Sequence, residues 1–395
     1  MARIRLLFVL NGAAIAAFGP FASVILEGRG FSATQIGLIF AVTSLAYVAS
    51  VSGWGHLGDV VLGRARALRI AILGAAALLS VFSLQLPLGL LAVAYVGYAV
   101  CNGAVGPLSD ALAVNALRDP GRQYGKVRAF ASGSFTVWAI VFGLLYGQAG
   151  YWPASFVFVA LAVAIAVLAG LLPDLGRATL SVRRRGGAIR EVLAIQPALP
   201  RILVAIALAY VGVFAGFTFL SLRIVALGGG PPEVALSSAV SAAAEVGAMV
   251  LASRLVPVIG LRALFAAASL LYTVAFVLWA VLASPTAIIA SRLISGAGFA
   301  GLWIASVMAV QTLLPSRLQG SGQALISMTT AGFAAFIANV VGGVLYAGSG
   351  PAVLFGASAV FGLAGAVAAW LTFPRRGARR FVEPVAEAVA EPVLA

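Results

Sequence analysis

Apolar residues run through this chain in long blocks, and polar residues are confined to short breaks between them. Blocks of roughly 20 residues, the length needed to cross a bilayer's hydrocarbon core, fall at 5–28, 34–57, 67–86, 88–116, 126–149, 152–173, 201–227, 234–256, 262–282, 285–312, 321–347 and 351–373. The pattern predicts an all-α, polytopic membrane protein with 12 transmembrane helices. The longest polar connection, 174–200, separates the sixth block from the seventh and carries Arg177, Arg183, Arg184, Arg185 and Arg190. The chain therefore reads as two six-helix bundles, 1–173 and 201–373, joined by a basic linker. A tail at 374–395 turns Ala/Val/Glu/Pro-rich after its arginines, a composition that predicts disorder. The apolar run after Met1-Ala-Arg-Ile-Arg5 continues past Pro20 to about Leu26, too long for the core of a signal peptide, so it reads as an uncleaved first helix.

A repeat supports the six-plus-six division. Gly143-Leu-Leu-Tyr146-Gly-Gln-Ala-Gly150 in the fifth block returns without a gap as Gly343-Val-Leu-Tyr346-Ala-Gly-Ser-Gly350 in the eleventh, an offset of 200 residues. The same offset sets Arg128 against Met328, so that charge belongs to the first half alone.

Composition then narrows the class. A chain of 395 residues that is 62% hydrophobic and 9% charged, with a mean hydropathy of +1.09, is too apolar for a soluble globular protein. The net charge of +14 would raise nucleic-acid binding in a soluble protein, but here the cations sit in short loops and offer no solvated basic face. Of the 25 Lys and Arg residues, 21 lie at the N-terminus, in even-to-odd loops, in the linker or in the tail; Arg29, Arg128, Arg223 and Arg292 lie elsewhere. Loops 86–88, 149–152, 283–285 and 348–351 carry no Lys or Arg. By the positive-inside rule both termini and the linker are cytoplasmic, as in a multi-pass protein of the bacterial inner membrane. Cys101, the single cysteine, cannot form an intrachain disulfide.

The loop after the second block reads Gly55-His-Leu-Gly-Asp59-Val-Val-Leu-Gly63-Arg64-Ala-Arg66. It resembles the Gly-x3-Asp-x2-Gly-Arg-Lys/Arg signature of the major facilitator superfamily. One extra residue stands between Asp59 and Gly63, and the basic residue just after the Asp is missing. Ser253-Arg254-Leu-Val-Pro-Val-Ile-Gly260-Leu-Arg262 looks like a decayed second copy. Physically, Asp59 beside Arg64 and Arg66 can form a charge-assisted latch that breaks as the halves rock, or can simply solvate the turn. Within the superfamily, Asp110 in the fourth block and Tyr124-Gly125-Lys126-Val127-Arg128 opening the fifth resemble the lactose permease and phenylpropionate permease proton symporters. Ala243-Ala244-Glu245-Val246 resembles the phenylpropionate permease pattern. The resemblance implies alternating access, a substrate site between the halves near the midplane, and function as a monomer. One departure stands out: the tenth block lacks the histidine and carboxylate of lactose permease relatives, and the lone histidine, His56, is at a loop.

An ionisable side chain at a helix centre costs roughly 2.5–3.5 kcal/mol even on a lenient insertion scale, so such residues mark function. Asp110 and Glu245 are the two acids deep in the apolar blocks. The Pro120-Gly121 break lets Asp110 face Arg128 across a hairpin. That pair reads as a substrate clamp, since a guanidinium matches a carboxylate or vicinal hydroxyls with two parallel hydrogen bonds; a structural salt bridge and a cytoplasmic gate are the alternatives. Glu245 lies on a stripe with Ser237, Ser241 and Met249 and has no basic residue before Arg254 on its helix, the setting of a proton carrier. A structural hydrogen bond or direct substrate contact are its other readings. Arg292 reads as a second anion-attracting group, and Arg223 as a side chain snorkelling to the interface. Tyr210, Phe214 and Phe217, with Trp303, form either helix packing or one wall of a site for a flat apolar group. Asn102, with Asn11 and Asn339, adds intramembrane polar groups suited to interhelical hydrogen bonds.

The resulting expectation is a secondary transporter that moves a small organic solute, an aromatic or other organic carboxylate, by proton symport. It needs no cofactor beyond the proton as coupling ion; its partners are a small-molecule substrate and the lipid bilayer. A sugar or nucleoside symporter and a proton-driven exporter of apolar compounds are the rival carriers. One loop histidine and two isolated deep acids supply no catalytic or metal cluster, which argues against an enzyme.

Overall fold

The computed structural model describes residues 1–117, 119–172 and 185–375, and every regular element among them is helical. Spans one to seven are Ala2–Gly28, Ala33–Leu62, Arg64–Ser83, Leu88–Ala116, Gln123–Ala149, Pro153–Gly170 and Leu199–Ala226. The next helix, Pro231–Val281, is two spans in one, because Gly260 breaks it with φ 81° and ψ 165°. Its arms, 231–259 and 261–281, are spans eight and nine. Spans ten to twelve are Pro285–Leu313, Ser316–Ser349 and Pro351–Thr372. Together these make the expected twelve. Within the linker, helix Arg185–Ile195 leans on the second half through an Arg317–Glu191 ion pair, and Gln196 Nε2 donates to the Leu313 carbonyl at 3.4 Å. Most of the tail and linker residues 173–184 lie outside the described residues.

The repeat is carried by backbone as well as by sequence. Among the described residues, positive φ angles occur at Gly30, Gly63, Gly150, Gly228, Gly260 and Gly350. These fall into three pairs, 30 with 228, 63 with 260 and 150 with 350, at corresponding connections of the two halves. A side chain in that left-handed region costs roughly 1–2 kcal/mol, which is why glycine holds each turn. Side-chain packing repeats too. Tyr146 meets Phe21 with ring centroids 5.0 Å apart, and Tyr346 stacks on Phe219 at 5.5 Å.

Departures from straight helix are local. Span one bends at a 3₁₀ turn over Gly19–Phe21, and span four is interrupted between Asn102 and Val105. Span two ends in a π-helical stretch, Leu57–Leu62. A π turn takes up one residue more than an α turn, and that accommodates the extra residue between Asp59 and Gly63.

The halves meet through small residues. Span five crosses span eight where Gly143 faces Ala235 and Pro231 and Gly147 faces Pro232; span eleven crosses span two where Gly343 faces Ala33 and Gly37. Absent side chains let the backbones approach closely, the usual means of association where lipid offers no hydrophobic drive. Ser23 Oγ donates to the Thr218 carbonyl at 2.6 Å, Thr34 Oγ1 to the Gly343 carbonyl at 3.3 Å, and Asn339 Nδ2 to Ser44 Oγ at 3.4 Å. All these contacts lie in the half of the protein remote from the basic loops. This conformation is closed at that end.

Candidate functional site

Span four stops at Ala116 and the next helix opens at Pro120, so Asp110 and Arg128 come face to face across the hairpin. Arg128 Nη1 donates to Asp110 Oδ2 at 2.6 Å and to the Tyr124 hydroxyl at 2.9 Å. Tyr124 lies four residues before Arg128 on the same helical face, a spacing visible in the sequence. The pair is not sealed in protein: the Arg128 side chain is 56% exposed and that of Asp110 29%. Both bonds use Nη1, so the Nε and Nη2 edge of the guanidinium takes no part in them. Tyr47 of span two lies within electrostatic range of both charges. Beside Asp110, Ser109 Oγ accepts a 2.8 Å bond from Asn11 Nδ2 of span one, and Asn11 Oδ1 is buried without a hydrogen-bond partner. Asn102 is half-buried at the end of the first segment of span four.

A second polar group lies inside the second half. Arg292, 7% exposed, donates from Nη1 to Ser295 Oγ at 2.9 Å and from Nε to the Ser237 carbonyl at 3.3 Å. Its guanidinium carbon lies 5.3 Å from the Trp279 ring centroid. Those contacts tie span ten to spans eight and nine. In this conformation Arg292, read from the sequence as a second anion-attracting group, is a buried helix-to-helix tie. Glu245 is half-buried and within electrostatic range of Arg292, Tyr272 and Tyr210. The lack of a basic residue before Arg254 on its own helix thus misses the cation supplied by span ten. The Tyr272 hydroxyl is buried beside this group without a hydrogen-bond partner.

Spans seven and ten build a continuous aromatic face. Tyr210 packs on Phe214 and Phe299, Phe217 on Phe214 and Phe299, and Phe299 stacks on Trp303 at 6.2 Å with the rings 23° apart. Tyr210 is buried, whereas Phe217 and Trp303 are exposed. Phe299, not among the aromatic residues singled out from the sequence, joins this face because it lies four residues before Trp303 on the same side of span ten.

At the basic end, Arg64 Nε donates to Asp59 Oδ1 at 2.7 Å, and Arg66 is exposed. The pair closes its own loop. In this conformation it is no latch between the bundles, which are joined at the other end.

The MFS_1 like family matches the chain over residues 1–357. Maltose permease of Geobacillus stearothermophilus is 26% identical over 334 residues, 84% of this chain and 84% of that protein. Two solved structures share the fold. A mutant of the nucleoside transporter NupG superposes with a TM-score of 0.81 at 14% identity, covering 94% of this chain and 98% of its own. A mutant of the peptide transporter POT in complex with sulfate gives 0.74 at 15% identity, covering 93% of each.

Proposed function

Because the chain belongs to the MFS_1 like family and is a multi-pass membrane transporter of the major facilitator type, we propose that it carries a small organic carboxylate, with an aromatic one preferred, by proton symport. The observation that carries this reading is the half-exposed Arg128 guanidinium in the first half, whose bonds to Asp110 and Tyr124 both use Nη1, paired with the exposed aromatic face of Phe217 and Trp303 in the second. An anionic end takes the guanidinium and a flat apolar end takes the rings. Asp110 holds Arg128 until substrate competes for it. Glu245, within electrostatic range of Arg292 on span ten, is the proton carrier in this scheme.

The divisions at 173 and 200 are read as the boundaries of two rocking halves. Residues Asp59, Arg64 and Arg66 are read as a gate that re-pairs between halves when the other end opens. The protein acts as a monomer in the bacterial inner membrane, with both termini cytoplasmic, the side on which its cations concentrate.

Binding of aromatic acids, sugars and nucleosides to purified protein, with uptake into proteoliposomes, tests the substrate reading. A charge-assisted hydrogen bond contributes about 1.5–3 kcal/mol, so Arg128→Ala should bind the carboxylate roughly 10- to 150-fold more weakly. Arg128→Lys should recover little, because an ammonium lacks the planar fork. Undiminished affinity in Arg128→Ala removes the clamp. A second reading, a sugar or nucleoside symporter, is favoured by the names of the maltose permease and nucleoside transporter relatives. In it, Asp110 and Arg128 would grip vicinal hydroxyls. The same screen decides between the two.

A further inference from the structure

A groove of about 420 Å³ runs along span five, lined by Val9, Lys126, Phe130, Ser134, Val137 and Trp138 among others. It does not belong to the substrate path. At 3.6 residues per turn, Phe130, Ser134 and Val137 lie roughly 120–180° around the helix from Gly143, the residue that meets the other half. Arg128 lies roughly 60° from Gly143 on the same reckoning and faces Asp110. The groove is thus on the outer wall of the first half, where span one and span five part.

Its chemistry is graded along its length. Lys126 is exposed at the end with the basic loops, and the Arg5 guanidinium carbon sits 5.6 Å from the centroid of the Phe130 ring, with Phe130 and Lys126 lining the same wall. Beyond them the walls are apolar. The one hydroxyl among the named lining residues, Ser134, is spent on the Val9 carbonyl at 2.6 Å. From Lys126 to Trp138 the helix rises about 18 Å, close to the roughly 15 Å of one leaflet's hydrocarbon. Two cations at the mouth, an apolar trough one leaflet deep and an outward aspect match one occupant. We infer that the groove binds an anionic phospholipid of the leaflet on the basic side, its phosphate between Arg5 and Lys126 and an acyl chain along Phe130, Val137 and Trp138.

A juxtamembrane cation contributes about fivefold to binding of an anionic lipid, so two contribute roughly thirtyfold. Full-length protein in mild detergent should be titrated with phosphatidylglycerol and with phosphatidylcholine of the same chains, read by thermal shift and by quenching with brominated acyl chains. Phosphatidylglycerol should raise Tm and bind at least tenfold more tightly than phosphatidylcholine. An Arg5→Gln, Lys126→Gln double variant should lose that preference while keeping the lipid-free Tm. Trp138→Phe should lose the saturable part of the quenching that brominated phosphatidylglycerol gives in wild type. Equal binding of the two lipids, a preference that survives the double variant, or quenching unchanged in Trp138→Phe overturns the assignment. If the double variant unfolds, the quenching arm with Trp138→Phe still decides.

Discussion

Gly143→Ala is the sharpest test of how the two halves close. A Cβ at position 143 would stand 2.3 Å from the Ala235 Cβ and 3.2 Å from the Pro231 carbonyl oxygen, against about 3.5–4.0 Å for relaxed carbon contacts. Spans five and eight must separate to admit it. Overpacking of this kind costs about 1–3 kcal/mol, and alanine favours the helix itself, so the cost falls on the interface. If the contact exists only while this end is closed, the ratio of closed to open protein falls roughly 5- to 150-fold. The readout belongs on the other crossing. Thr34, whose hydroxyl bonds the Gly343 carbonyl between spans two and eleven, can be replaced as Thr34→Cys in a Cys101→Ser chain. Its labelling by a membrane-impermeant maleimide should quicken at least fivefold in the Gly143→Ala variant. Gly133→Ala, where an added Cβ meets nothing within 4 Å, should leave it unchanged. Unaltered labelling in a folded Gly143→Ala protein would show that the two crossings do not open together, and rigid-body rocking would fall with it.

Other outcomes follow from the site. Asp110→Asn should shift Tm by only a few degrees, because an accessible ion pair contributes about 0–1 kcal/mol, yet uptake should collapse; a large loss of Tm with uptake retained would make the pair structural. Glu245→Gln should abolish accumulation driven by a pH gradient in proteoliposomes while leaving counterflow, and undiminished gradient-driven uptake would remove the proton role. Phe299→Ala, which unlinks Trp303 from Phe217, should weaken an aromatic substrate several-fold while a short aliphatic acid is spared, as judged from their competition in uptake; an equal loss for both would assign the aromatic face to packing.

The amino-acid sequence alone determined the number of spans, the duplication and the unevenness of charge. Each is a local, one-dimensional property: the bilayer fixes the length of an apolar block, a repeat is read by offset, and loop cations are counted loop by loop. Tyr146 and Tyr346, paired by offset in the sequence, pack on Phe21 and Phe219 in the structure as a duplication requires. Asp110 and Arg128 were legible together because a short hairpin joins them.

The direction in which each helix faces came from the folded structure. It set Arg292 of span ten beside Glu245 of span eight, kept Asp59 on Arg64 within one loop, and joined Phe299 to Phe217. It also showed which end is closed and left the groove beside Phe130 open. In water, the apolar stripe of a helix tells which side is buried. In a membrane the lipid-facing and core-facing sides are both apolar, so a helix's rotation is settled by where glycines such as Gly143 and Gly343 let backbones meet. That information lies in pairs of distant residues.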